Sequence, residues 1–146
     1  MIRLFIDANI FVDATDRSRK TYALSIAFFD RMFDNMDKYQ LYTSCDLITT
    51  IYYIIRKELD NNEALQQIKK ISKFITIIEF GNSEVDDAIK LMEDNTKYKD
   101  LEDTIQYVMA RKEKCDYIIT NDKKFASGDV PVLSCKEAII ELERVK

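Results

Sequence analysis

Short, continuous apolar runs alternating with longer amphipathic stretches leave this chain few ways to fold. Leu4-Phe5-Ile6, Ile75 to Phe80, Tyr117-Ile118-Ile119 and Val130 to Leu133 lack the strict polar–apolar alternation of a half-solvated strand. Strands that are apolar throughout belong in a sheet covered on both faces, which is the usual setting of parallel strands. The stretches between them recur at three-and-four spacing, as in Tyr22, Ala23, Ile26, Ala27, Phe29, Met32 and Phe33, the pattern of an amphipathic helix. Right-handed crossovers joining such units give a doubly wound domain.

Strands are expected over 1–6, 40–43, 75–80, 117–119 and 130–133. Helices are expected over 10–13, 22–37, from a cap at Asp46 through Ile55, over 61–74, after an Asn82-Ser83 cap, over 100–113 and over 136–144. Only two glycines and one proline occur in 146 residues, so connections are short and no linker or repeat divides the chain. The expectation is a single domain, 1–146, of three-layer α/β/α architecture around a parallel sheet of about five strands. At this length a domain buries roughly 68–70% of its unfolded surface, enough for one real core.

Composition narrows the chemistry more than the fold. There is no histidine, which removes Ser-His-Asp and Cys-His catalysis, histidine-relay ribonucleases and every His-dependent zinc site. Cys45, Cys115 and Cys135 are odd in number and include no C-x-x-C pair, the usage of free thiols in a reducing compartment. The glycine-rich loop of a P-loop enzyme is absent. The net charge of −4 is not the basic footprint of a nucleic-acid binder, although total charge does not describe a local patch. No apolar stretch approaches the roughly 20 residues needed to cross a bilayer and the start does not read as a signal peptide, so a cytoplasmic location is expected.

In doubly wound folds ligands sit beyond the carboxyl ends of the strands, where strand order reverses. Asp7 leaves the first strand, Asp122 follows the fourth, and Asp100 and Asp103 open the helix before it. If the first and fourth strands are neighbours, these four converge. Each has an ordinary explanation: Asp7 and Asp100 as helix caps, Asp103 as a first-turn acid, Asp122 as a turn residue. Glu102 reads as a solvated neighbour. Together, however, carboxylates about 4 Å apart repel by roughly 4 kcal/mol at an effective dielectric near 20. An all-oxygen cluster of this kind suits Mg²⁺ or Mn²⁺, which activates water, orients a phosphate and offsets charge on the leaving oxygen.

Residues 6–13, Ile-Asp-Ala-Asn-Ile-Phe-Val-Asp, resemble the opening of PIN domains. Residues 99–106, Lys-Asp-Leu-Glu-Asp-Thr-Ile-Gln, are similar to that family's third acidic segment, and 116–125 to its closing T-x-D-x-x-F segment. The resemblance spans essentially the whole chain. It implies a parallel sheet, Mg²⁺- or Mn²⁺-dependent endonucleolytic cleavage of RNA, and the toxin half of a VapC-type toxin–antitoxin pair. Such a toxin has a small antitoxin partner covering the acidic crevice, and commonly forms a homodimer.

Carried over by position, Asp7, Asp103 and Asp122 are the acidic-site residues, with Asp100 an additional metal ligand. Asn9 and Thr120 order the site by hydrogen bonding. One departure stands out: where the family usually has a glutamate early in the helix after the second strand, this chain has Thr50, which brings no negative charge. Asp100 and Glu102 are then the acids available to replace it.

For RNA, Arg17, Arg19 and Lys20 in one loop and the pair Lys123-Lys124 flank the expected crevice, where they would neutralise phosphates. Competing readings are a PIN-like module that binds RNA or protein without cutting, which Thr50 favours, and a phosphatase of the haloacid dehalogenase type. The latter resembles D-x-D, and Asn9 cannot serve as its second acid. A response-regulator receiver lacks support, because the paired early acids and the aspartate after the third strand are missing.

Overall fold

The computed structural model describes residues 1–144, so the last two residues of the expected domain lie outside the described part. The chain runs β1 (Ile2–Ile6), α1 (Ala8–Asp13), α2 (Tyr22–Phe33), β2 (Tyr39–Ser44), α3 (Cys45–Ile55) and α4 (Asn61–Phe74). It continues with β3 (Thr76–Ile78), α5 (Asn82–Asp94), α6 (Leu101–Lys112), β4 (Tyr117–Ile119), β5 (Val132–Leu133) and α7 (Cys135–Glu143). The five strands form one sheet in the order β3-β2-β1-β4-β5, and every neighbouring pair is parallel.

The pleat of the central strand explains the layers. Successive side chains of a strand point to opposite faces, and β1 feeds a separate core on each. Leu4 and Ile6 enter a core shared with Ile10, Phe28, Met32, Ile51 and Ala138. Phe5 enters the other, with Ala88, Val108, Met109 and Ile118. Helices α1 to α4 and α7 therefore cover one face, and α5 and α6 the other. Fully burying side chains of this kind contributes roughly 1.5–3 kcal/mol apiece, which is why a strand with Leu4, Phe5 and Ile6 all at 0% exposure sits at the centre.

Several boundaries differ from expectation, each for a local reason. Helix α2 stops at Phe33 rather than 37, because Asn35 turns the chain: its Nδ2 donates to the Arg31 carbonyl, and its own carbonyl accepts from Lys38 N–H. Asparagine side chains compete for backbone in this way and favour turns. Ser44, not Asp46, is the N-cap residue of α3, and Asp46 falls in its first turn. Strand β3 is shorter than 75–80. Ile75 still closes α4 through its N–H to Ile71, and pairing ends at Ser44↔Ile78, where β2 becomes helix. Strand β5 begins only after Pro131, which has no N–H to give to a ladder but accepts from Ile118 N–H through its carbonyl. A capping box of Ser134 and Glu137 starts α7.

The loop from β4 to β5 is held by aromatic hydroxyls. Tyr107 Oη donates to Asp129, and a Cβ at Gly128 would stand 2.5 Å from that hydroxyl and 3.0 Å from that of Tyr98, so only glycine fits there. Among the described residues, no helix is long and apolar enough to cross a membrane.

Candidate active site

The order β2-β1-β4 places the reversal of strand order at β1, with the end of β4 beside it. Register pairs Ile6 with Ile119, and Asp7 N–H donates to the Ile119 carbonyl at 3.0 Å. The next residue of each strand, Asp7 and Thr120, thus emerge side by side. Asp7 occupies the N-cap position of α1 but makes no side-chain cap hydrogen bond. Instead its Oδ2 accepts from Thr120 Oγ1 at 2.8 Å. Thr120 Oγ1 accepts in turn from Asn9 Nδ2 at 3.2 Å and from Asp122 N–H at 3.1 Å. A hydroxyl has one donor and two acceptor sites, and here all three are used. One threonine ties together the ends of β1 and β4 and the turn that carries Asp122.

Asp7 is 5% exposed. Burial pushes its carboxyl above the ordinary range, an effect opposed by Thr120, Gln106 and the Ala8 N–H and reinforced by the charge of Asp122. Asp103 is pushed up to about 7, first by burial and then by the like charges of Asp7, Asp100, Asp122 and Glu102. The four aspartates picked out in the sequence are therefore electrostatic neighbours. Two of them also do the ordinary jobs. Asp100 caps α6, accepting from Asp103 N–H at 2.9 Å, and Asp122 accepts from Lys124 N–H at 2.9 Å in a turn. Neither bond consumes the charge. Asp100, Asp103 and Asp122 line a cleft of about 280 Å³ together with Lys97, Lys99 and Lys124.

Three further groups belong with the cluster: Glu102, read in the sequence as a solvated neighbour and as a possible replacement for the charge missing at Thr50, and two that sequence reasoning passed over, Asp46 as a site acid and Gln106. Glu102 is exposed, as expected of a solvated neighbour, yet its carboxyl is raised by burial and by the charges of Asp46, Asp7 and Asp100. Asp46 stands four residues before Thr50 on α3, hence one turn earlier on the same face, and bears its charge on Glu102. A scan of that helix face, rather than of the single position 50, would have found it. Gln106 is 0% exposed and lies on α6 one turn after Asp103.

The expected RNA-facing cations divide. Arg17, Lys20, Lys123 and Lys124 are exposed, and Lys124 lines the cleft. Arg19 is held at home, paired to Asp13 at 3.2 Å and to Asp16 at 3.4 Å. Lys97 and Lys99, not singled out beforehand, join Lys124. Lys97 is itself fastened to the Ser127 carbonyl.

Among the described residues, no three Asp, Glu or Cys side chains stand close enough to enclose a metal ion by themselves. The donor set nonetheless fits a hard dication that keeps its water, since Mg²⁺ is usually held by one or two carboxylates with waters in its remaining positions. The unrelieved repulsion has a measurable consequence. A carboxyl whose folded pKa is raised contributes stability that is complete below its unfolded value and is lost as pH rises through the folded one. For Asp103 that window runs from its ordinary 3.8 to about 7, and Asp7 and Glu102 shift in the same direction. In chelator, the protein should lose stability between about pH 4 and 7. After discounting for solvent screening of a half-exposed group, Asp103 accounts for on the order of 1 kcal/mol of this. Thermal melts across that range check it: Asp103→Asn should flatten the slope, and a slope of opposite sign would contradict the assignment.

Three comparisons bear on the family and the fold. The family model described as PIN domain matches residues 3–124. Ribonuclease VapC1 of Aquifex aeolicus is 44% identical over 135 residues, covering 92% of each chain. Among solved structures, VapBC2 of Rickettsia felis, bound to a DNA fragment from their promoter, superposes with a TM-score of 0.68 at 14% identity, over 91% of this chain and 98% of that one. Mycobacterium tuberculosis VapC20, titled a Sarcin-Ricin loop cleaving toxin, gives 0.66 at 11% identity, over 84% and 92%. The last two are likenesses of fold.

Proposed function

Since the chain belongs to the PIN domain family, we propose that it is an endoribonuclease that hydrolyses RNA phosphodiesters with Mg²⁺ or Mn²⁺ and is the toxin of a type II toxin–antitoxin pair. The observation that carries this reading is the acid cluster around Asp7, an array of like charges with Asp103 raised to about 7 at a strand-order reversal. Asp7 and Asp103 would hold the cation, with Asp122 and Asp100 beside them. The dication, when bound, supplies Lewis acidity toward phosphate and water.

The chain's own residues do the rest. Thr120 and Asn9 fix the Asp7 carboxylate in one orientation, and the Thr120–Asp122 bond sets the turn beside it. Lys99 and Lys124, on the cleft, receive phosphates next to the scissile one, while Arg17, Lys20 and Lys123 extend the positive rim outward. Thr50 favours a binder that does not cut, but Asp46, one turn earlier, returns a negative charge to the same helix face. That tips the balance toward catalysis.

The relative named a ribonuclease supports the RNA substrate, and the neighbour titled VapBC2 supports an antitoxin partner. Action in the cytoplasm and a homodimer complete the proposal.

The direct test is incubation of purified protein with a pool of structured and single-stranded RNAs in Mg²⁺, in Mn²⁺ and in chelator. Discrete fragments in either metal and none in chelator are expected. Intact RNA throughout, with retention of RNA on the protein, would move the binding module ahead.

A further inference from the structure

Among the described residues, Gln106 is the one side chain that is fully buried, polar and unsatisfied at both ends. It is 0% exposed, and neither its Nε2 nor its Oε1 has a hydrogen-bond partner. Its neighbours on α6, Ile105, Val108 and Met109, are core residues. A buried amide without partners costs folding free energy that an apolar side chain of the same shape would not. At this position, three residues after Asp103, it shares the helix face of a proposed ligand. Gln106 is among the groups that favour the charged form of Asp7, yet its amide completes no hydrogen bond to that carboxylate. A second unspent group stands two residues after Asp7: Asn9 Oδ1 is buried and unpartnered, although its Nδ2 is anchored on Thr120.

We infer that Gln106 is a positioning residue for the divalent cation, completing a bond from its amide to Asp7 and presenting its carbonyl oxygen to the cation's hydration shell. Asn9 Oδ1 presents a matching acceptor. The inference rests on the proposed reading that the acid cluster takes Mg²⁺ or Mn²⁺. Outer-sphere partners of this kind orient the direct ligands and tune their basicity. The arrangement explains why a fold would tolerate two orphaned amide oxygens, Gln106 Oε1 and Asn9 Oδ1: their partners arrive with the ion.

The test uses Gln106→Met, which conserves volume, with Gln106→Leu as a second variant, and reads two quantities in the intact protein. The Mn²⁺ dissociation constant, from electron paramagnetic resonance titration of free Mn²⁺, should rise about 10- to 100-fold. The Tm in chelator should equal or exceed that of wild type, because the variants remove an unsatisfied group. A merely structural glutamine would give the reverse, a lower metal-free Tm with unchanged affinity. Unchanged Mn²⁺ affinity overturns the inference while leaving the metal site standing. A lower metal-free Tm, or failure of both variants to fold, overturns it as well, since the amide would then be satisfied within the fold. If wild type itself binds no Mn²⁺, the inference and the metal-dependent reading fall together.

Discussion

Asp7→Asn should reduce metal-dependent RNA cleavage by about 10³-fold or more while leaving the metal-free protein at least as stable as wild type. The loss follows from position. Asp7 sits at the seam between β1 and β4, shares its charge with Asp103 and Asp122, and is oriented by Thr120. Removing one preorganised group that stabilises transition-state charge typically costs about 10²–10³, and a residue that also holds the cation should sit at the upper end or beyond. The unchanged stability follows from burial. The Asp7 carboxyl is raised because ionising it inside the protein is unfavourable, and asparagine keeps an acceptor for the Thr120 hydroxyl while removing that charge. Single-turnover cleavage and thermal melts in chelator check the two halves. A variant that retains cleavage within tenfold would remove Asp7 from the site; one that melts far below wild type would make any activity loss uninformative and refute the burial argument.

The second large effect is expected away from the chemistry. Asp13 is 5% exposed and accepts from three directions: Thr21 Oγ1 at 2.6 Å, Asn121 Nδ2 at 3.0 Å and Arg19 at 3.2 Å. Asn121 passes the connection on, its Oδ1 accepting from Cys135 N–H at 3.1 Å. Helix α1, the loop before α2, the turn after β4 and the start of α7 are thereby fixed to one carboxylate. Asp13→Ala removes the buried acceptor that three donors share, two of them part-buried, and should cost about 2–3 kcal/mol, a drop in Tm of roughly 5–10 °C for a domain of this size. Arg19→Ala should cost less than about 1 kcal/mol, because that side chain is 43% exposed and exposed ion pairs contribute little. Equal effects from the two variants would show that the ion pair, rather than the buried node, is what matters.

Much of this architecture was legible before any coordinates. Helix α4 and strand β4 fall on the expected residues, because Asp60 caps the one and apolar continuity marks the other. The expected parallel sheet of five strands in three layers is present, and β1 and β4 are neighbours. Local chemistry hid the rest. The ends of β3 and β5 depend on where a partner strand stops, which no periodicity within the segment reveals. In sequence Asp46 reads only as a helix cap because a position-by-position likeness points at Thr50, whereas a helix delivers charge to a site from any residue on the facing side. Gln106 escaped because its meaning lies in the bonds it does not make. The basic loop looked uniform in sequence, yet Arg19 is tied to Asp13 and Asp16, and two lysines ahead of Asp100 line the cleft instead.

The bond from Thr120 to Asp7 spans 113 positions along the chain, and that separation governs when during folding the acid cluster comes into being. β1 can pair with β2 once a little under a third of the polypeptide is present, but its other edge stays open until β4 docks. Contacts so distant in sequence carry a large loop-closure entropy and tend to form slowly. A chain emerging from the ribosome therefore carries Asp7 unaligned through most of its synthesis, with its hydroxyl partner and Asp122 arriving near the end. On the proposed assignment of the site, competence to attack RNA waits until the second half of the sheet closes against the first.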